Sequence, residues 1–252
     1  MTVAPAPRVT LLDGFSLHLG GSAPRSILED LPRGVQRLVA HLCLYGQPPR
    51  TAIAGNLWPD APEDHARGSL RSALWRLHKE APGLVEVSGS SLGLADGVQV
   101  DVRELGDWAR QLRDPHCCLD DVEVPDAGLR GELLPGWYDE WVLLERERLR
   151  QLRMHALELV AVKLTSAGRH GDALQAAYAA VRAEPLRESA HRTVVWVHLA
   201  EGNVAEGLRA YEQFRDMLAD ELGVQPSEQM VRLVQGLRRA PVAECSRRSA
   251  TE

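Results

Sequence analysis

Cysteine is scarce in this chain of 252 residues: there are four, with Cys117 and Cys118 adjacent and Cys43 and Cys245 remote. That spacing builds no disulfide framework. No CxxC occurs, and no His/Cys cluster has zinc-ligand spacing, so neither a metal nor another cofactor is expected. Long apolar runs are missing too. None approaches the ~18 residues of a membrane span, and the N-terminus "MTVAPAPRVT" lacks the basic start and apolar run of a secretory signal. A reducing, cytoplasmic setting without a membrane partner is the expectation. A basic excess is also absent. The formal net charge is −6, so any contact with nucleic acid must rest on local charge. No phosphate-cradling GxxxxGKS or GxxxxGKT is found, and the nine histidines are scattered. "GSSLG", Gly89–Gly93, matches the G-x-S-x-G nucleophile elbow, but that chemistry needs a strand-to-helix turn. Strand-like sequence lies on both sides of it here, which reads as a hairpin. No catalytic residue is assigned, and the chain is not expected to be an enzyme.

What is present begins with a mixed first hundred residues. "RVTLLDGFSLHLGG" reads as a hairpin, Val9–Leu12 and Phe15–Leu19, turning at Asp13-Gly14. Pro32 opens a helix to about Tyr45, with Val35, Leu38, Val39, Leu42 and Cys43 on one face and Gly46 as its C-cap. Thr51 is expected to cap a short helix, Ala52 to Leu57. "WPDAPED" breaks the chain, and a longer helix starts near Pro62 and stops at Pro82-Gly83. "LVEVSGSSLGLADGVQVDV" then predicts a second hairpin through Gly89 and a third short strand.

After Asp101 no strand pattern remains. A long amphipathic helix begins near Asp139. "AGRHGDALQAA" and "EGNVAEGLRAY" then align at an offset of 34 residues, the period of tetratricopeptide helix pairs. The offset matches Gly168 with Gly202, Asp172 with Glu206, Leu174 with Leu208, and Ala177 with Tyr211. The glycines fall at the turns, and Leu174 and Leu208 are expected in the cores of the pairs. A last helix reaches about Leu237, and 239–252 reads as a disordered tail. The fold class is therefore mainly α with a small β component. A winged helix-turn-helix over 1–100 is followed by an all-α helical-repeat domain over 101–238.

The helix after Pro62 has two faces. At 100° per residue, Ala66, Leu70, Ala73, Leu74 and Leu77 share one arc and face a core. Gly68, Arg71, Ser72, Trp75 and Lys79 lie opposite, with Arg67 and Arg76 at the edges. A solvated surface helix would show the same charges. The order helix, short helix, longer basic helix, hairpin is that of a winged helix-turn-helix, whose last helix enters the major groove. Arginine and lysine there neutralise phosphates or read guanine edges. The residues assigned to DNA are Arg67, Ser69, Arg71, Ser72, Trp75, Arg76, Lys79 and, on the wing, Ser90. His65 and His78 flank the strip. The wing tip "VSGSSLG" carries no Arg or Lys, so Ser88, Ser90 and Ser91 offer only hydroxyls to phosphate.

"LWPDAPEDHARGSLRSALWRLHK" with "VDV", "GELLPGWYDEWVLLERERLR", "AEPLRESAH" and "YEQFRDMLADELGVQPS" together resemble the Streptomyces antibiotic regulatory protein family, over about residues 8–238. The resemblance implies a transcription activator with an OmpR-like winged helix followed by a bacterial transcriptional activator domain. It implies binding, as a homodimer, to direct repeats of double-stranded DNA near promoters. It also implies recruitment of RNA polymerase, for secondary-metabolite gene clusters. Its recognition helix falls on about Glu63–Glu80. Its polymerase-contacting loop falls on Trp58–Asp64, with Trp58, Asp60, Glu63 and Asp64 as the contacts. Those acidic groups also suit a helix N-terminus on dipole grounds alone. Larger relatives carry a nucleotide-binding or phosphopeptide-binding module that is not expected here. The competing reading is a helical-repeat adaptor for protein partners with a degenerate winged helix. For Cys117-Cys118, a redox switch competes with a loop or helix end holding one buried thiol.

Overall fold

The computed structural model describes residues 6–20, 31–114 and 131–238 of the chain. Two compact units divide it, Met1–Leu152 and Arg153–Glu252. No helix among the described residues is long and apolar enough to cross a membrane. Cys117, Cys118, Cys245 and the tail 239–252 lie outside the described residues.

In the first unit, β1 (Arg8–Thr10) and β2 (Ser16–His18) form the expected hairpin, with Val9 opposite Leu17 and positive φ at Asp13 and Gly14. Both strands are shorter than their apolar pattern suggests. The reason lies ninety residues away. The Asp101 carboxylate accepts the N–H groups of Leu11 (2.9 Å), Leu12 (2.9 Å) and Val102 (2.8 Å). Those donors are satisfied by a side chain, so the ladder ends. Leu11 O in turn accepts the N–H of Leu134, and Leu12 forms a bridge with Leu133.

The helix α1 (Arg33–Tyr45) buries all five apolar positions read from its spacing and ends at Gly46, φ 73°. Arg103 donates to the carbonyls of Leu42 (2.8 Å) and Cys43 (2.9 Å). It thus supplies partners and positive charge to the helix C-terminus. The short helix α2 spans Arg50–Leu57 and has no side-chain cap. Thr51 lies inside it, contrary to expectation. Pro49 presets the entry and Ser90 O takes the Arg50 N–H (3.0 Å), so the helix starts ahead of Thr51, which is inside it and not at its cap position. α3 (Glu63–Glu80) packs on α1 and α2.

The wing is β3 (Val85–Ser88) and β4 (Ser91–Leu94), antiparallel through Gly89 at φ 59°. The α1–α2 loop pins it: Leu92 N–H donates to Pro48 O (3.1 Å). At Gly93 a Cβ would lie 2.8 Å from Gln47 Cγ, so the loop rests directly on the hairpin backbone. The third strand, β5 (Gln99–Val100), pairs in parallel with β1 rather than with the wing, giving the order β2-β1-β5. α4 (Asp101–Gln111), not singled out in the sequence, follows directly and buries Leu105, Trp108 and Ala109.

Carbonyls of "GELLPGW" converge on one side chain. Arg146 donates to the carbonyls of Leu133 (3.0 Å), Leu134 (2.9 Å) and Trp137 (3.2 Å). Arg146 belongs to α5 (Glu140–Ser166), the long helix within which the division between units falls. Trp141, on its first turn, is buried and meets His41 edge-on, while the Tyr45 ring stacks on His41 at 4.5 Å. His41 Nε2 takes its hydrogen bond from Asn56 Nδ2 (3.1 Å).

Burial presses the His41 pKa from 6.5 to about 4, so the imidazole is neutral in the fold. The unfolded chain takes up a proton below pH 6.5, and the folded one does not until about pH 4. Stability from this group is complete above pH 6.5 and drains away as pH falls towards 4. The loss should be on the order of 3 kcal/mol. Urea melts across that range should show this acid limb, and His41→Phe should flatten it. An unchanged limb in the variant would rule the assignment out.

The second unit continues with α6 (His170–Ala183), α7 (Glu188–Glu201), α8 (Val204–Leu222) and α9 (Glu228–Arg238). The 34-residue offset survives: α6 and α8 begin 34 positions apart, each after a glycine at positive φ, Gly168 and Gly202. Leu174 and Leu208 are only half-buried, each on the margin of an apolar cluster. The fully buried equivalents are the small residues one position earlier, Ala173 and Gly207. Close helix approach explains this, because a Cβ at 207 would meet Leu199 Cδ2 at 2.8 Å. One core cluster is Val195, Phe214, Leu218, Met230 and Val234 around α7, α8 and α9, and another is Ala161, Ala177 and Val194. Gly207→Val should destabilise by about 1–3 kcal/mol through overpacking. Leu208→Ala should cost less than the 2–5 kcal/mol typical of a buried leucine. Chemical denaturation of both variants checks the order, and a larger loss from Leu208→Ala would refute it.

Candidate nucleic-acid interface

Along α3, Ala66, Leu70, Ala73 and Leu77 are buried, as the helical spacing requires. Leu74, placed with them by periodicity, is half-buried and faces a surface groove instead. Arg71, Ser72, Trp75, Arg76 and Lys79 are exposed. Arg71 and Lys79 are eight residues apart, so the strip runs about 12 Å at 1.5 Å per residue. Among the described residues, Arg71, Arg76 and Lys79 have no carboxylate within ion-pair distance. Trp75 is 67 % exposed, and Lys79 Nζ lies 5.9 Å from its ring centroid. This is a weak cation–π contact at a solvated site.

The other assigned side chains differ. Arg67 is tied to Glu63 at 2.5 Å, with both side chains exposed. Surface pairs of this kind contribute little, so a phosphate can displace the carboxylate. Ser72 Oγ donates back to Gly68 O (3.1 Å) and keeps an acceptor outward. Ser69 is half-buried, beside Trp58 and Arg76 in a shallow depression between α1 and α3. Ser90 is exposed at the wing tip.

Arg50 carries no signal of its own in the sequence. It is the first residue of α2, exposed, and lines one groove with Arg71, Trp75 and Val87. No linear signal joins positions 50, 71 and 87. The wing's packing on the α1–α2 loop does. "GSSLG" is the turn Gly89-Ser90 followed by strand, with Ser91 opposite Ser88 in the ladder, so the strand-to-helix turn of a nucleophile elbow is not met. Among the described residues no group of three or more His, Cys, Asp or Glu could hold a metal ion.

The segment from Trp58 to Pro62 joins α2 to α3, while Glu63 and Asp64 form the first turn of α3. Asp60, Glu63 and Asp64 are exposed, and Trp58 is half-buried against Gly34. The joining segment borders a cavity of about 790 Å³ whose far wall is Tyr138, Trp141 and Leu144. Tyr138 is 81 % exposed. Residues eighty positions apart in the chain thus share one surface.

The bacterial transcriptional activator domain matches residues 104–238. The regulatory protein AfsR of Streptomyces coelicolor is 32 % identical over 216 residues, covering 80 % of this chain and 22 % of that protein. AfsR of Streptomyces griseus is 28 % identical over 203 residues, 76 % and 21 % respectively. The chain therefore spans about a fifth of the length of these curated relatives. Among solved structures, EmbR of Mycobacterium tuberculosis, in complex with a low-affinity phosphopeptide, matches with a TM-score of 0.67 at 18 % identity. The match covers 94 % of this chain and 66 % of that one, and the likeness is one of fold.

Proposed function

The chain belongs to the bacterial transcriptional activator domain family, that of the Streptomyces antibiotic regulatory proteins, and we propose that it activates transcription by binding direct repeats of duplex DNA through α3 and the wing. One observation carries the reading: an acidic chain keeps a strip of cations, Arg71, Arg76 and Lys79, that have no carboxylate partner among the described residues, around an exposed tryptophan. Counterion release from phosphates supplies affinity there, and an arginine reading a guanine edge supplies specificity. In this reading residues 1–100 carry DNA binding, and 101–238 set dimer geometry and activation. The α2–α3 segment and the first turn of α3, through Trp58, Asp60, Glu63 and Asp64, meet RNA polymerase. The action is cytoplasmic, needs no cofactor and includes no catalytic step.

Selection from random duplexes by the full chain should recover an enriched half-site. Two copies in direct orientation, about one helical turn apart or slightly more, should bind more tightly than the same copies inverted. Asp60→Lys with Asp64→Lys should keep that affinity and lose activation in run-off transcription with RNA polymerase. Recovery of no enriched sequence would overturn the reading. It would favour the protein adaptor instead, for which exposed Tyr138 and Leu144 are the motivating observation.

A further inference from the structure

Between α3 and the wing lies a groove of about 380 Å³, within the ~300–1,000 Å³ of small-molecule sites. Its floor is the buried Leu77 and Ala81, and its walls include Leu74, Val85, Trp75 and Val87. Trp75 and Val87, 67 % and 59 % exposed, put an indole and an isopropyl group on the walls of the same groove. Arg50 and Arg71 stand at the same walls, and among the described residues neither guanidinium has a carboxylate partner. Among the described residues no Asp or Glu lines the groove, and its ionisable residues are those two arginines and His78. Flat apolar sides with unpaired cations at the rim suit one chemistry. A planar ring system stacks on the indole, and its carboxylate takes a forked hydrogen bond from a guanidinium.

The geometry points to a binding site for a planar aromatic carboxylate in this groove, whose occupant excludes duplex DNA from Arg71 and Trp75. The second half rests on the DNA reading above; the first does not. The ligand would be a small organic acid, competing with phosphate for the same guanidinium and with the duplex for the same indole face. Occupancy would thus oppose activation.

Titration of the full chain with naphthalene-2-carboxylate, followed through the tryptophan indole ¹H–¹⁵N signals, tests the site. One of the six indole signals, the one missing in Trp75→Phe, should shift and saturate. 2-Naphthol, with the same rings and no charge, should bind at least tenfold more weakly. Arg50→Ala should weaken the acid at least fivefold, and Val87→Glu, which puts a carboxylate at the rim, should do the same. Movement of a different indole, equal binding of 2-naphthol, or wild-type affinity in both variants would overturn the site. In a separate binding assay, the acid at ten times its Kd should raise the apparent Kd for DNA about tenfold by mass action. An unchanged DNA Kd would overturn exclusion. If the chain binds no duplex even without the acid, the DNA reading and exclusion both fail, and the indole titration still decides the site.

Discussion

Asp101→Ala should unfold the first unit more effectively than any other single loss of a polar group there. The carboxylate accepts from Leu11, Leu12 and Val102, all buried donors. Alanine leaves three N–H groups without a partner, each costing about 1–3 kcal/mol. The expected destabilisation is roughly 3–9 kcal/mol, comparable with the whole stability of many domains. Asp101→Asn should fall between, because its amide offers one acceptor oxygen and turns an N–H₂ towards the remaining donor. Urea melts of the three proteins should rank them in that order. A loss under about 1 kcal/mol for alanine would show that water satisfies the three donors. The same contacts bear on fragments. A chain ending at residue 100 lacks both this carboxylate and Arg103 on the carbonyls of α1. It should be less stable than the intact unit even if residues 1–100 hold every DNA contact.

Arg71→Ala and Trp75→Ala should separate binding from stability. Both side chains project from the exposed face of α3, so each variant should melt within about 0.5 kcal/mol of the parent. Arg71→Ala should weaken specific binding by roughly 1–3 kcal/mol if the guanidinium reads a base. Trp75→Ala should weaken it severalfold, through loss of ring contact with a sugar or a thymine methyl. Lys79→Ala should instead lower the slope of log affinity against log salt by about one phosphate contact. Fluorescence anisotropy on the selected site over several salt concentrations distinguishes these outcomes. If Trp75→Ala destabilises by more than about 2 kcal/mol, the scale of a buried aromatic, and still binds normally, the indole is structural and the face assignment fails.

Much of this was legible in the chain because it is encoded locally. Val35, Leu38, Val39, Leu42 and Cys43 repeat with the helix and all are buried. Asp13-Gly14 turns the first hairpin, and the glycines at 168 and 202 mark a repeat whose helices start 34 residues apart. Periodicity also put Trp75 opposite the core of α3. What periodicity states is which way a side chain points, and that holds whatever the helix packs against. It does not name the partner. Leu74 and Leu208 lie on apolar arcs, yet a groove and a close helix crossing leave them half-buried. Arg50 joins Arg71, β5 joins β1, and Trp58 shares a cavity with Tyr138, only because the folded backbone brings distant segments together. The sequence by itself determined most of the elements, the faces of the periodic helices and the cationic strip on α3, though not α4. The tertiary structure decided the partners: the three donors of Asp101 and the walls around Trp75. Directions follow from bonds within a few residues, whereas partners depend on loop closures spanning twenty to ninety residues, which leave no local pattern.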